Sequence, residues 1–247
     1  MKMLFLFTAL IFCYSVSGQS AFAKAEQLSQ QSNYKQAIPL YKEALQAAPK
    51  DAKILMATGK AYGELKQFEE ASEVYKKLLA IDESIADYHF YYGGSLGLYA
   101  KNSSKLKALG MLDDVKFHLK KAAELDENHI ETRWALVQMY CELPGIVGGS
   151  VAISREYAAE LAKISPVDGY LATGWIEIYE ENYKEAEVAL KKAVEIGNSP
   201  TTYLKLAELY SKHMDRDDLA IKTLQKADSQ SDDKRINVAL KRLKSKN

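Results

Sequence analysis

Asn33-Tyr34-Lys35-Gln36-Ala37-Ile38-Pro39-Leu40-Tyr41-Lys42-Glu43-Ala44-Leu45 returns as Gln67-Phe68-Glu69-Glu70-Ala71-Ser72-Glu73-Val74-Tyr75-Lys76-Lys77-Leu78-Leu79. Ala37 and Ala71 stand 34 residues apart. The phrase returns around Ala186 (Asn182-Tyr183-Lys184-Glu185-Ala186, then Leu190 and Ala193) and around Ala220 (then Leu224 and Ala227), and these alanines are also 34 apart. A fixed period of this length marks stacked helical hairpins. Such an array builds a surface for holding a partner and does not by itself name the partner.

Working outward, matching positions in the second half of each unit fall at Ala44, Leu78, Ala122, Leu161, Ala193 and Ala227. The steps between them are 34, 44, 39, 32 and 34 residues. The period is regular at the ends and stretched in the middle, so the expected fold is all-α, with about six hairpins and a closing helix. Each hairpin should pair two amphipathic helices. In the second, Leu55, Thr58, Gly59, Tyr62 and Leu65 form one apolar stripe. Phe68, Ala71, Tyr75, Leu78 and Ile81 form the other. Gly59 and Ala71 are small enough to let the two backbones approach, with aromatics filling the space around them.

Helix ends are legible too. Asn33 and Asn182 are expected to cap the helices that begin at Tyr34 and Tyr183. Pro49, Pro166 and Pro200 fall between hairpins, and Pro39 should bend its helix or cost it a hydrogen bond. The third unit should have longer helices around a turn at Asn102-Ser103-Ser104, with extra residues near Leu98 to Leu112. The fourth has an insertion from Leu143 to Ser150. The closing segment, Asp232 to Lys246, carries Ile236, Ala239, Leu240 and Leu243 on one face and cations elsewhere, as a terminal cap requires.

The chain has 247 residues, 33 basic and 33 acidic side chains, and 47% apolar residues. The neutral balance argues against nucleic acid as a partner. At the N-terminus, Met1-Lys2-Met3 precedes an apolar run from Leu4 to Cys13 that is too short to span a bilayer. Small residues follow, offering cleavage after Gly18 or after Ala23; the first leaves the opening helix intact and is preferred. The expected location is therefore periplasmic or secreted. Cys13 follows Phe12, where a lipid-attachment cysteine wants a small residue. Removal of the leader leaves Cys141 alone, so packing rather than disulfides must hold the fold.

Catalytic constellations are scarce. His89, His118, His129 and His213 show no i, i+4 pairing for zinc. Pro144-Gly145-Ile146-Val147-Gly148-Gly149-Ser150 lacks the lysine of a phosphate loop and follows a helix rather than a strand. It reads as a flexible connection with Ser150 capping the next helix, whose amides could also hold an anion or a partner carboxylate. Asp215-Arg216-Asp217-Asp218 lacks the glycine and distal glutamate of a calcium loop. Cys141 has no local histidine to activate it; it reads as a buried inert thiol, with a nucleophile or redox sensor as the alternative. Neither a cofactor nor a metal is expected.

The residues Gly59, Tyr62, Phe68, Ala71, Tyr75 and Leu78, repeated in part as Gly174, Tyr183, Ala186, Leu190 and Ala193, resemble the tetratricopeptide repeat family in a secreted bacterial form. Ala37, Tyr41, Ala44 and Pro49 match it as well, as do Ala207, Tyr210, Ala220, Leu224 and Ala227. The resemblance implies a right-handed α-solenoid, or superhelix. Residues 1–18 would be the signal peptide, 19–231 the repeat domain and 232–247 the capping helix. It also implies that the first helix of each hairpin lines a concave groove. That groove would present Met56 and Lys60, Phe90 and Gly94, Trp134 and Gln138, Leu171 and Trp175, then Leu204 and Glu208. A family subset clamps a terminal carboxylate with Asn and Lys. Here the positions hold Lys60, Gly94 and Gln138 without an Asn, so that ligand is not expected.

The function expected is a non-catalytic scaffold of the cell envelope that binds a protein or peptide segment, with Phe90, Trp134 and Trp175 as anchors. The alternative is an envelope assembly or adaptor factor working through its convex face or edge. An enzyme using Cys141 or the glycine loop is a third reading. Neither nucleic acid nor stable insertion in a membrane is expected.

Overall fold

The structure, a computed structural model, describes residues 18–245. Residues 1–17 of the expected signal peptide, with the apolar run from Leu4 to Cys13, and Lys246 of the closing segment lie outside the described residues. Among the described residues the elements are helices, with no strand. They pair as α1 (residues 18–30) with α2 (Tyr34–Ala47), α3 (Ala52–Glu64) with α4 (Phe68–Leu79), and α5 (Ala86–Lys101) with α6 (Lys105–Leu125). Then come α7 (Ile130–Glu142) with α8 (Val151–Ile164), α9 (Pro166–Tyr179) with α10 (Tyr183–Gly197), and α11 (Pro200–His213) with α12 (Asp217–Asp228). A last helix, α13 (Lys234–Lys244), packs on α11 and α12. The chain divides after His129 into two compact units. None of the described helices is long and apolar enough to cross a membrane.

The frame read from the sequence is the frame of the core. Ala37, Ala71, Ala186 and Ala220 are all 0% exposed. So are Ala44, Leu78, Ala122, Leu161 and Ala193, with Ala227 at 2%. In the first unit, a Cβ added to Gly59 would lie 2.4 Å from the ring of Tyr75. In the second unit, a Cβ on Gly174 would lie 2.7 Å from Leu190. Both partners sit sixteen residues after the glycine. The same contact therefore closes a hairpin in each unit. One end of the predicted stripe departs: Ile81 lies past the end of α4 and is 41% exposed.

The turns inside hairpins correct the capping expectation. Neither Asn33 nor Asn182 makes a side-chain cap bond. Instead Ser32, Lys66 and Glu181 take left-handed backbone, with φ of 59°, 58° and 61°. The next residue's N–H then reaches back to the last turn: Asn33 to Leu28, Gln67 to Tyr62 and Asn182 to Glu177. This is a Schellman closure, which satisfies the helix end through backbone alone. The Asn182 side chain is thereby free to donate to the buried Glu177 carboxylate at 3.0 Å.

Elsewhere the helix punctuation follows expectation. Pro166 and Pro200 open α9 and α11, and Pro49 lies between α2 and α3. Pro39 sits inside α2, which nevertheless runs on to Ala47. In the third hairpin α5 has 16 residues and α6 has 21, with Ser104 capping α6. The insertion of the fourth forms a 3-10 turn at Gly145–Val147. That connection, expected to be flexible, is pinned. The Ser150 N–H donates to the Tyr140 carbonyl at 2.7 Å, and its hydroxyl caps α8 at Ile153.

Overpacking a well-filled site costs about 1–3 kcal/mol. Gly59→Ala should therefore lower stability by that amount in urea denaturation. Gly63→Ala, one turn further along α3 with nothing within 4 Å of the new methyl, should raise it by up to about 1 kcal/mol, because alanine is the better helix former.

Candidate partner-binding faces

The ten predicted groove residues sit in matched positions on the first helices of five hairpins. The first unit holds Met56 and Lys60 on α3 and Phe90 and Gly94 on α5. The second holds Trp134 and Gln138 on α7, Leu171 and Trp175 on α9, and Leu204 and Glu208 on α11. Residues four apart on a helix share one face. None of the ten is buried; Lys60 and Gln138 are exposed and the others partly so. In the second unit α9 touches both α7 and α11, and α11 touches α13. Those faces therefore lie side by side there.

The aromatic side chains divide their area between core and surface. Trp134 and Trp175 pack against the cluster of Val137, Cys141, Ala158, Leu161, Ala172 and Ile176. The Trp134 indole N–H donates to Asp168 on α9 at 2.9 Å, so it also ties two first helices together. Trp175 stacks on Tyr179 with centroids 6.1 Å apart. Phe90 packs on the ring of His129 at 5.0 Å, and the Lys60 ammonium lies 5.1 Å from the centre of the Tyr91 ring. Burial works to raise the pKa of Glu208, but hydrogen bonds from Lys212 and Lys205 prevail and hold the carboxyl below its usual range.

Sequence reasoning missed the wall that α13 adds. Leu204 and Glu208 line an open groove of about 490 Å³ together with Val238, Lys234, Arg235 and Arg242 of α13. The available signal was five cations without one acid in the eleven residues of that helix. Also missed were apolar residues on the outer face of the lengthened α6, where Leu106 is 83% and Phe117 59% exposed.

The stack of helical hairpins is shared with known proteins. The sequence model of the tetratricopeptide repeat family matches residues 28–89. Residues 28–89 thus carry the tetratricopeptide repeat pattern. No curated protein sequence matches it. Among solved structures, a tetratricopeptide repeat protein from Parabacteroides merdae ATCC 43184 aligns at 15% identity and a TM-score of 0.60, covering 93% of each chain. PilW, described as a widely conserved type IV pilus biogenesis factor, aligns at 14% identity and a TM-score of 0.62, covering 92% of this chain and 97% of its own. YrrB, described as a tetratricopeptide repeat protein with an unusual peptide-binding site, aligns at 22% identity and a TM-score of 0.50, covering 74% and 87%.

Within the repeats, the groups singled out for chemistry are placed as follows. Cys141 is 2% exposed, and burial pushes its thiol pKa up, away from the thiolate a nucleophile needs. Among the described residues no cluster of three His, Cys, Asp or Glu side chains could hold a metal.

Two histidines 29 residues apart do meet, between α5 and α6: the Nδ1 atoms of His89 and His118 are 2.8 Å apart. His89 Nε2 faces the Glu83 carbonyl at 3.0 Å, so it carries the proton and His89 Nδ1 accepts from His118.

Burial and the neighbouring His89 lower the pKa of His118 from 6.5, against the pull of Asp114 and Glu83. The stability associated with neutral His118 is thus complete above pH 6.5. It falls as pH drops below that value, because the unfolded chain takes up the proton first. Urea midpoints measured from neutral to acidic pH should show this loss, and His118→Gln should flatten it.

Proposed function

We propose that the protein is a non-catalytic scaffold of the cell envelope that binds a segment of a protein partner along the exposed faces of its first helices. The observation that carries this reading is the row of α7, α9 and α11. It offers Trp134, Leu171, Trp175 and Leu204 as part-exposed apolar surface beside the polar Gln138 and Glu208. Apolar patches with polar neighbours at helical spacing suit an extended segment or an amphipathic helix. The peptide-binding site ascribed to YrrB is in keeping with this use of the fold. The tryptophans would act as rigid anchors because the core already fixes one side of each ring.

The envelope part of the reading rests on the charged start, apolar run and small residues at the N-terminus. N-terminal sequencing of the exported chain should begin at Gln19. A chain that keeps Met1 would remove the envelope assignment.

A second reading, an assembly factor acting through the outer helices, is favoured by the exposed Leu106 and Phe117 on α6. The pilus role ascribed to PilW is of that general kind. A photo-crosslinking residue placed at Gln138, and separately at Phe117, separates the two in living cells. The expected result is a partner captured from position 138 and not from 117. Capture from 117 alone would transfer the function to the outer face.

A further inference from the structure

We propose that the groove between α11 and α13 docks an acidic, amphipathic segment of the partner. This rests on the reading that first-helix faces bind a protein segment, and it assigns the chemistry of that segment. The floor is apolar: Leu204 and Ala207 come from α11, and Ala239 and Leu243 from α13. Val238 is 68% exposed, an apolar side chain facing solvent beside a groove of about 490 Å³. A volume of this size accepts several side chains of a ligand.

The rim has one sign in excess. Lys212, Lys234, Arg235 and Arg242 face the groove with Glu208 as the single acid. Lys212 bonds Glu208, and Arg235 bonds Asp233 at 2.8 Å. Lys234 and Arg242 have no acidic partner among the described residues. The helix itself gives no reason for a cation at Lys234. That residue opens α13, where the positive end of the helix dipole disfavours a cation. Lys234 and Arg242 stand about 12 Å apart along α13, so separate carboxylates of an incoming segment would meet them.

Other occupants fit less well. A bilayer needs an apolar helix face to receive, and α13 buries its own: Ile236, Leu240 and Leu243 are 0%, 6% and 7% exposed. Single-stranded nucleic acid wants aromatic rings for its bases, and no aromatic side chain lines this groove.

The test titrates the full chain with a synthetic helical peptide that carries Leu at i, i+3, i+4 and i+7 and Glu elsewhere. It is repeated with the same peptide bearing Gln for Glu. The acidic peptide should bind and the Gln version should bind about tenfold more weakly or not at all. Arg242→Glu and Lys234→Glu, both at exposed positions, should each weaken the acidic peptide by a similar factor. Added salt should weaken it as well.

Equal binding of the two peptides, or no response to either variant or to salt, would overturn the proposal. Tight binding of phosphatidylglycerol vesicles that Arg242→Glu abolishes would also overturn it in favour of a lipid surface. Self-association lost in the same variant would do so in favour of a second copy of the chain. If crosslinking from Gln138 succeeds while the peptide fails, only this inference falls. If the peptide binds while Gln138 captures nothing, the broader reading falls.

Discussion

How closely two helices of a hairpin can approach is decided at one small residue, and the rest of the structure follows from it. Gly59 lies under the ring of Tyr75 and Gly174 under Leu190. A side chain at either glycine would hold the helices apart, and the alanines beside them would no longer be sealed. Four of those alanines are completely buried at a spacing of 34 residues within each pair. A hairpin packed this tightly has one remaining apolar stripe per helix, and only a neighbouring hairpin can cover it. In the second unit this stacking sets α9 against both α7 and α11. Residues on the side of those helices away from the buried stripe then face outward.

That geometry explains what the sequence revealed and what it withheld. The core positions were legible because their period is imposed by close contact inside each repeat. Met56, Phe90, Trp134, Trp175 and Leu204 fall beside the core positions of their helices and are part-exposed. The double role of Trp134 was not legible. Its hydrogen bond runs to Asp168, 34 residues on, and no local pattern announces a bond to the next repeat. The hairpin turns were misread because the usual glycine is missing. Ser32, Lys66 and Glu181 occupy left-handed backbone, and an asparagine after such a residue looks, in sequence, like a cap.

Buried polar groups show the same preference for contacts across helices. Glu177 of α9 is held by Arg155 of α8 and by Asn182, and the Arg155 hydrogen bond lowers its pKa. The Ser154 hydroxyl of α8 donates to the Val137 carbonyl of α7 at 2.7 Å. His89 and His118 do likewise between the two longest helices of the first unit. Each bond joins elements that the apolar stripes already bring together, so it fixes orientation rather than creating the contact.

The surface charges separate what stability requires from what it does not. The second helices α4 and α10 mix signs along their lengths, with Glu69, Glu70, Lys76 and Lys77 on one and Glu185, Glu187, Lys191 and Lys192 on the other. Mixed charge suffices for solubility and adds i, i+4 pairs such as Glu187 with Lys191. A terminal helix needs a polar back for solubility alone, and either sign would serve. Lys241, Arg242 and Lys244 also favour the C-terminal end of the dipole of α13, so stability explains their placement there. It does not explain Lys234 at the opposite end. A cation kept where its own helix repels it, beside a half-open apolar groove, is more simply understood as serving something that arrives from outside.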